Sequence, residues 1–188
     1  MKSHLRKEMK RVLNLISEEQ HEAHSTSIAN ALYETCLWKE ARVIAATVSR
    51  NKEVNTKAII ERAWKDGKKV AVPKCNPTTS QMVFYEITNF SQLETVYYGL
   101  AEPIVEETVP VSKSSIDLLL VPGVVYSKNG YRIGYGGGYY DRYLTDYSGR
   151  KLSLAFDCQV VSEVPYESHD IPVEYILTEK ELICCESV

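Results

Sequence analysis

Apolar runs alternating with segments of helical periodicity predict an α/β protein with parallel strands in its sheet. Two observations carry this. The runs at 42–49, 69–73 and 117–125 are short, continuous and rich in Val, Ile, Leu and Ala, as strands covered on both faces are. The segments at 5–16 and 56–66 instead repeat apolar residues every three or four positions, which places them on one face of a helix.

Taken in order, Leu5, Met9, Val12, Leu13 and Ile16 mark a first helix with basic residues between them. Ser17-Glu18-Glu19-Gln20 reads as a capping box that opens a second helix through about Trp38. A buried strand follows at 42–49. Ile59, Ile60 and Trp64 then define a helix that Gly67 closes. Strands are expected at 69–73 and 82–88, and residues 89–115 read as loops and short elements. The strongest strand signal is 117–125, broken only by Pro122-Gly123, where proline suits a strand end. A helix is expected at about 139–147, a strand at 152–156 and a last one at 175–178. With no repeat, linker or low-complexity tract, residues 1–188 read as one domain.

Composition bounds the function. Charged residues make up 25% and hydrophobic ones 44%, ordinary for a soluble protein. A net charge of −3 without a basic stripe gives no reason to expect nucleic acid. No run of about 18 apolar residues suggests a membrane span, and the N-terminus lacks the apolar core of a signal peptide. The five cysteines are scattered, without Cys-x-x-Cys or zinc-ligand spacing. Reduced thiols in the cytoplasm are the expectation, Cys184-Cys185 included.

The chemistry concentrates at 132–141, Arg-Ile-Gly-Tyr-Gly-Gly-Gly-Tyr-Tyr-Asp, where four of the nine glycines fall within five residues. Amides in such a turn can converge on an anion, Arg132 adds donors suited to phosphate, and Asp141 could hold Mg²⁺. Tyr135, Tyr139 and Tyr140 offer flat faces to a ring-bearing substrate. The pattern is neither a P-loop nor a Rossmann turn, and the plain alternative is a surface turn. Residues 50–53 and Pro73-Lys74 also follow strands, so one cleft lined by these and the glycine loop is expected.

The stretch 121–124 (Val-Pro-Gly-Val) followed by 129–144 resembles the signature of the 5-formyltetrahydrofolate cyclo-ligase family, also called methenyltetrahydrofolate synthetases. Lys2-x-x-Leu5-Arg6, Glu53-Val54-Asn55-Thr56, Pro73-Lys74 and Glu167-Ser168-His169-Asp170 agree in order. The resemblance implies a three-layer α/β/α sandwich with a mostly parallel sheet, similar to the sugar-phosphate isomerase and CoA-transferase-like fold. It implies ATP- and Mg²⁺-dependent closure of 5-formyltetrahydrofolate to 5,10-methenyltetrahydrofolate, with ADP and phosphate released. Residue by residue, it places ATP on Lys2, Ser3, His4, Leu5, Arg6, Lys74, Arg132, Ile133, Gly134, Tyr135, Gly136, Gly137, Gly138, Tyr139 and Tyr140. The folate falls on Val48, Glu53, Tyr135, Gly136, Gly137, Gly138 and Tyr139, and the metal on Asp141 and Asp170. Arg132, Tyr139 and Asp141 are the catalytic candidates. Where the family pattern has a second aspartate, this chain has Glu174.

Each residue has a plainer reading. Lys2 and Arg6 could be solvated helix charges, Glu53 or Asp141 a carboxylate at a helix start, and Asp170 a turn residue before Pro172. Two other functions compete: a sugar-phosphate isomerase or CoA-transferase-like enzyme, and a non-catalytic folate- or nucleotide-binding regulator. The expected partners are small molecules, with no nucleic acid or membrane, and a monomer is the simplest assembly.

Overall fold

The helices follow their sequence signals with two exceptions. In this computed structural model, which describes residues 1–185, α1 (Lys2–Asn14) buries Met9 and Leu13. Burying such side chains is worth about 1.5–3 kcal/mol each, and this anchors the helix that carries Lys2 and Arg6. Ser17 caps α2 (Glu18–Glu34): its hydroxyl accepts from the Gln20 amide at 3.1 Å, and the Gln20 side chain accepts from the Ser17 amide at 3.2 Å. The first exception is that α2 stops at Glu34 and not at Trp38. Thr35 turns extended (φ −74°, ψ 149°), and its hydroxyl caps a separate short helix, α3 (Cys36–Glu40). Trp38 is buried there, and its indole N–H donates to Asp66 at 3.2 Å. α4 (Lys57–Lys65) ends at Gly67, whose φ of +76° is the left-handed conformation glycine adopts without strain. The second exception is α5 (Tyr139–Leu144), which is shorter than 139–147.

The strands in chain order are β1 (Val43–Ala45), β2 (Lys69–Asn76), β3 (Gln81–Ile87), β4 (Leu93–Thr95), β5 (Ala101–Pro103) and β6 (Val109–Val111). After them come β7 (Leu118–Leu120), β8 (Val125–Ser127), β9 (Arg132–Ile133), β10 (Arg150–Leu154), β11 (Val160–Val161), β12 (Tyr175–Leu177) and β13 (Leu182–Cys184). Eight form one sheet in the order β13-β12-β10-β7-β1-β2-β3-β6. The five strands from β12 to β2 run parallel, while β13, β3 and β6 join antiparallel at the edges.

Several strand expectations change. The 42–49 run yields only three paired residues, because the chain leaves the sheet to form the loop after β1. Pro122-Gly123 splits 117–125 into β7 and β8, which belong to different sheets. The 82–88 strand is the antiparallel half of a hairpin with β2, so no helix separates it from its partner. β13 follows the strand expected to be last.

Period-two alternation sorts the strand residues between two layers. Ile44, Val70, Val72, Leu118, Leu120 and Leu152 pack with apolar residues of α1, α2, α3 and α4. Ala45, Ala71, Leu119 and Ile176 face the other way, toward Tyr143 and Leu144 of α5. The result is a three-layer α/β/α sandwich with unequal helical layers. β1 pairs with β2 on one side and β7 on the other, so the winding reverses between β1 and β7. That reversal opens a crevice at the strand carboxyl ends. No helix among the described residues is long and apolar enough to cross a membrane.

Gly130 closes the β8–β9 turn against the segment leading to β12. Its φ is +91°, and a Cβ there would lie 2.2 Å from the Val173 carbonyl oxygen. Gly130→Ala is therefore expected to destabilise the fold by about 2–4 kcal/mol, adding backbone strain to overlap. Urea unfolding checks this, and a loss under about 1 kcal/mol would show that the turn relaxes freely.

Candidate active site

The crevice between β1 and β7 holds two adjoining cavities, of about 740 and 580 Å³. Thr47, Arg50, Glu53, Pro122 and Tyr135 line both. Each is of a size that takes one drug-sized ligand. The loops after β1 and β7 and the glycine loop therefore converge, and Pro73 reaches the larger cavity from β2.

Cationic groups gather on the larger cavity. Lys2 and Arg6, four residues apart, share a face of α1. The Lys2 ammonium donates to Asp170 Oδ2 at 2.8 Å, and Arg6 Nε donates to the Gly134 carbonyl at 2.6 Å. Arg132 is buried on β9, its side chain 4% exposed. Its guanidinium donates to the Ile171 carbonyl at 2.7 Å and to Asp141 Oδ1 at 3.3 Å. Arg132 Nε and the Tyr140 hydroxyl are buried polar atoms with no partner among the described residues. Both residues line this cavity, and orphaned donors of this kind are expensive unless a ligand or water completes them.

The glycine loop stands exposed at the mouth, with Gly136 at φ +107° and Gly138 at φ +69°. A Cβ on Gly137 would lie 2.7 Å from the Tyr139 ring, so the aromatic rests directly on backbone. Arg142 ties the loop down, donating to the Gly137 carbonyl at 2.6 Å and to the Ser80 carbonyl at 3.2 Å.

Asp141 and Asp170 come together through backbone. The Ile171 amide, next in the chain after Asp170, donates to Asp141 Oδ1 at 3.0 Å. The Glu167 amide donates to Asp170 Oδ2 at 2.9 Å. Burial pushes the Asp170 carboxyl up, but Lys2, the Glu167 amide and His169 outweigh it and hold it below the usual carboxylate range. Among the described residues Asp141 Oδ2 carries no hydrogen bond, and Asp170 Oδ1 faces only the His169 ring at 3.4 Å. Among the described residues no group of three His, Cys, Asp or Glu could hold an ion alone. Two carboxylates on a cavity lined by cations suit Mg²⁺, which takes its other ligands from phosphate and water.

Glu53 lies where the two cavities meet. Burial raises its pKa, opposed by Arg50, whose Nε is 3.9 Å away, and by the Tyr135 hydroxyl beside it. Burial and the Glu53 charge in turn push the Tyr135 phenol far up, so it stays a neutral donor. Val48, from the same loop, lines the larger cavity.

Four expected contacts lie elsewhere. Lys74 sits between Pro73 and Cys75, which face the cavity, so strand alternation turns it away. Its ammonium lies 3.6 Å from both Glu94 and Glu102. Ser3 and His4 are exposed outside the lining, and Leu5 packs on the core, because only every fourth residue of α1 faces the cavity. Glu174 pairs with Arg150 at 3.2 Å and caps the Lys151 amide at 3.0 Å, a structural role at the start of β10.

Sequence reasoning missed other lining residues. Tyr97 and Tyr98 stand on the rim, 75% and 96% exposed, with Tyr98 at φ +56° and its carbonyl held by Arg50 at 2.6 Å. An aromatic pair beside Gly99 in a polar loop was the available signal. Cys75 also lines the cavity, its thiol pushed up to about 11 by burial and Glu102. Nothing in its surroundings marked it in the sequence.

Known proteins resemble this arrangement over the whole chain. The 5-formyltetrahydrofolate cyclo-ligase family model matches residues 1–179. A 5-formyltetrahydrofolate cyclo-ligase of Haemophilus influenzae is 30% identical over 178 residues, covering 92% of this chain and 95% of the relative. One from Saccharomyces cerevisiae is 30% identical over 198 residues, covering 92% of each. The solution structure of Aquifex aeolicus 5,10-methenyltetrahydrofolate synthetase superposes with a TM-score of 0.87 at 29% identity, covering 100% of this chain and 94% of that one. The chain belongs to the 5-formyltetrahydrofolate cyclo-ligase family.

Proposed function

We propose that the protein closes 5-formyltetrahydrofolate to 5,10-methenyltetrahydrofolate at the expense of ATP, with Mg²⁺ bound. The observation that carries this reading is one crevice with two compartments: cations and the glycine loop line the larger, and the Glu53 carboxylate stands at the seam. ATP takes the larger cavity, with its triphosphate among Lys2, Arg6, Arg132 and the glycine loop. The pterin ring presents its N–H donors to Glu53. A carboxylate offers two acceptor oxygens to such an edge.

The seam brings the formyl group to the terminal phosphate. The formyl oxygen attacks the γ-phosphorus and ADP leaves, converting a poor leaving group into a phosphate ester. N10 then attacks the activated carbon, phosphate departs as the ring closes, and N10 gives up its proton. Phosphoryl transfer of this kind rests on positioning and charge neutralisation, which Arg132, Lys2 and Arg6 provide. Asp141 and Asp170 would hold Mg²⁺, which supplies further charge neutralisation on phosphate oxygens. Tyr139, resting on Gly137, and Val48 shape the walls. A single domain, a cytoplasmic location and a monomer, the simplest assembly, complete the proposal.

Purified protein with 5-formyltetrahydrofolate, ATP and Mg²⁺ is expected to form methenyl product together with ADP and phosphate, one to one to one. AMP and pyrophosphate as products would reject phosphorylation of the formyl oxygen.

Glu53→Gln is expected to weaken folate about 10- to 150-fold, the worth of a charge-assisted hydrogen bond, and to leave ATP nearly unchanged. The pH dependence has a definite sign. With its folded pKa raised above 4.5, Glu53 takes up a proton in the folded state before it does in the unfolded one. Its contribution to stability therefore declines as pH rises from 4.5 through the raised value. Glu53→Gln should remove that decline and melt higher near neutrality, although it binds folate worse. Calorimetry and thermal melts across pH test both. Weakened ATP with normal folate would move Glu53 to the nucleotide side.

A further inference from the structure

His21 lies one turn into α2, outside both cavities, and its Nε2 is 2.7 Å from the backbone carbonyl oxygen of Glu53. A carbonyl only accepts, so Nε2 is the protonated nitrogen. The Phe156 ring meets the imidazole edge-on at 5.5 Å and 60°, which limits its rotation. The loop so held turns through Asn51 at φ +50°, a left-handed position that asparagine accepts. Two more ties come from the same side: Lys52 donates to the Ile16 carbonyl at 2.8 Å, and Ser25 accepts from the Asn55 amide at 3.1 Å. Of the three, only the His21 bond falls on the residue whose carboxylate enters the site.

We propose that His21 is a positioning residue for the folate substrate, fixing the Glu53 backbone so that its carboxylate is already aimed at the ligand before binding. The proposal rests on the reading of Glu53 as the folate acceptor. Without the tie, part of the binding free energy would go to ordering the loop. The groups proposed to hold the triphosphate, Lys2, Arg6, Arg132 and the glycine loop, lie on other elements, so nucleotide binding should change far less.

The test is calorimetric titration with 5-formyltetrahydrofolate, and separately with ATP and Mg²⁺, on His21→Leu, His21→Gln, Glu53→Gln and the double variant His21→Leu with Glu53→Gln. His21→Leu is expected to weaken folate about three- to tenfold, the range for one neutral hydrogen bond, with nucleotide binding and saturated turnover unchanged. His21→Gln, which keeps an N–H donor, should recover most of the loss. In the Glu53→Gln background His21→Leu should add nothing, because residues acting through one contact are not additive. Full additivity, or equal loss of both ligands, would overturn the proposal. Loss of folate binding in Glu53→Gln but not in His21→Leu would overturn it alone, whereas an unaffected Glu53→Gln would remove the Glu53 reading and this proposal together. Should His21→Leu fail to fold, His21→Asn, polar but too short to reach the carbonyl, takes its place.

Discussion

Replacing Arg132 by lysine is expected to lower saturated turnover on the order of 10³-fold, with the protein still folded. The guanidinium spans two fixed acceptors, the Ile171 carbonyl at 2.7 Å and Asp141 at 3.3 Å, and keeps a buried Nε without a partner among the described residues. Lysine retains the charge, so the carboxylate is not left facing a neutral group. Its single ammonium cannot hold both acceptors and still present donors to a transferring phosphoryl group. An arginine that stabilises such a transition state is worth about 10³–10⁵ in turnover, and the lower end suits an arginine also used to order Asp141. Steady-state rates, with a thermal melt as control, decide this. Activity above a tenth of the parent would make Arg132 a structural residue that ties the 170–171 segment to β9.

Asp141→Asn is expected to reduce turnover on the order of 10²-fold at limiting Mg²⁺, as removal of one preorganised electrostatic group does. Asparagine keeps the Oδ1 acceptor that receives Arg132 and the Ile171 amide, so the local fold should survive. The change falls on Oδ2, which makes no hydrogen bond among the described residues. If that oxygen serves a cation, raising Mg²⁺ should recover part of the loss, because weakened ion binding is offset by concentration. Rates titrated against Mg²⁺ test it. An unchanged Mg²⁺ dependence would take Asp141 out of metal binding and leave it as an orienting partner of Arg132.

Local interactions explain which features were legible in the chain. The Ser17 capping box and the Gly67 stop are set within four residues of backbone, so their sequence signals translated directly into geometry. The glycine loop was equally legible, since only glycine tolerates its left-handed positions and the ring of Tyr139 against Gly137. Helix ends were less so. Trp38 continues the periodicity of α2, but Thr35 capping and burial of the indole against Asp66 favoured a separate turn. Lys74 shows the limit of motif reading. Its neighbours face the cavity, while strand alternation and two carboxylates at 3.6 Å decide its own direction.

By itself the sequence determined the alternating α/β character, the family, and the chemistry of the Arg132–Asp141 loop, because these depend on residue type and short-range spacing. Only the tertiary structure decided which residues meet. Lys2 pairs with Asp170 across 168 positions, Arg132 reaches Ile171 across 39, and His21 reaches Glu53 across 32. Such contacts follow from sheet order, with β1 between β2 and β7, and no local pattern encodes that order. The division of the crevice into two compartments has the same origin. It exists because strands far apart in the chain end side by side, bringing Glu53 and Tyr135 to a common wall.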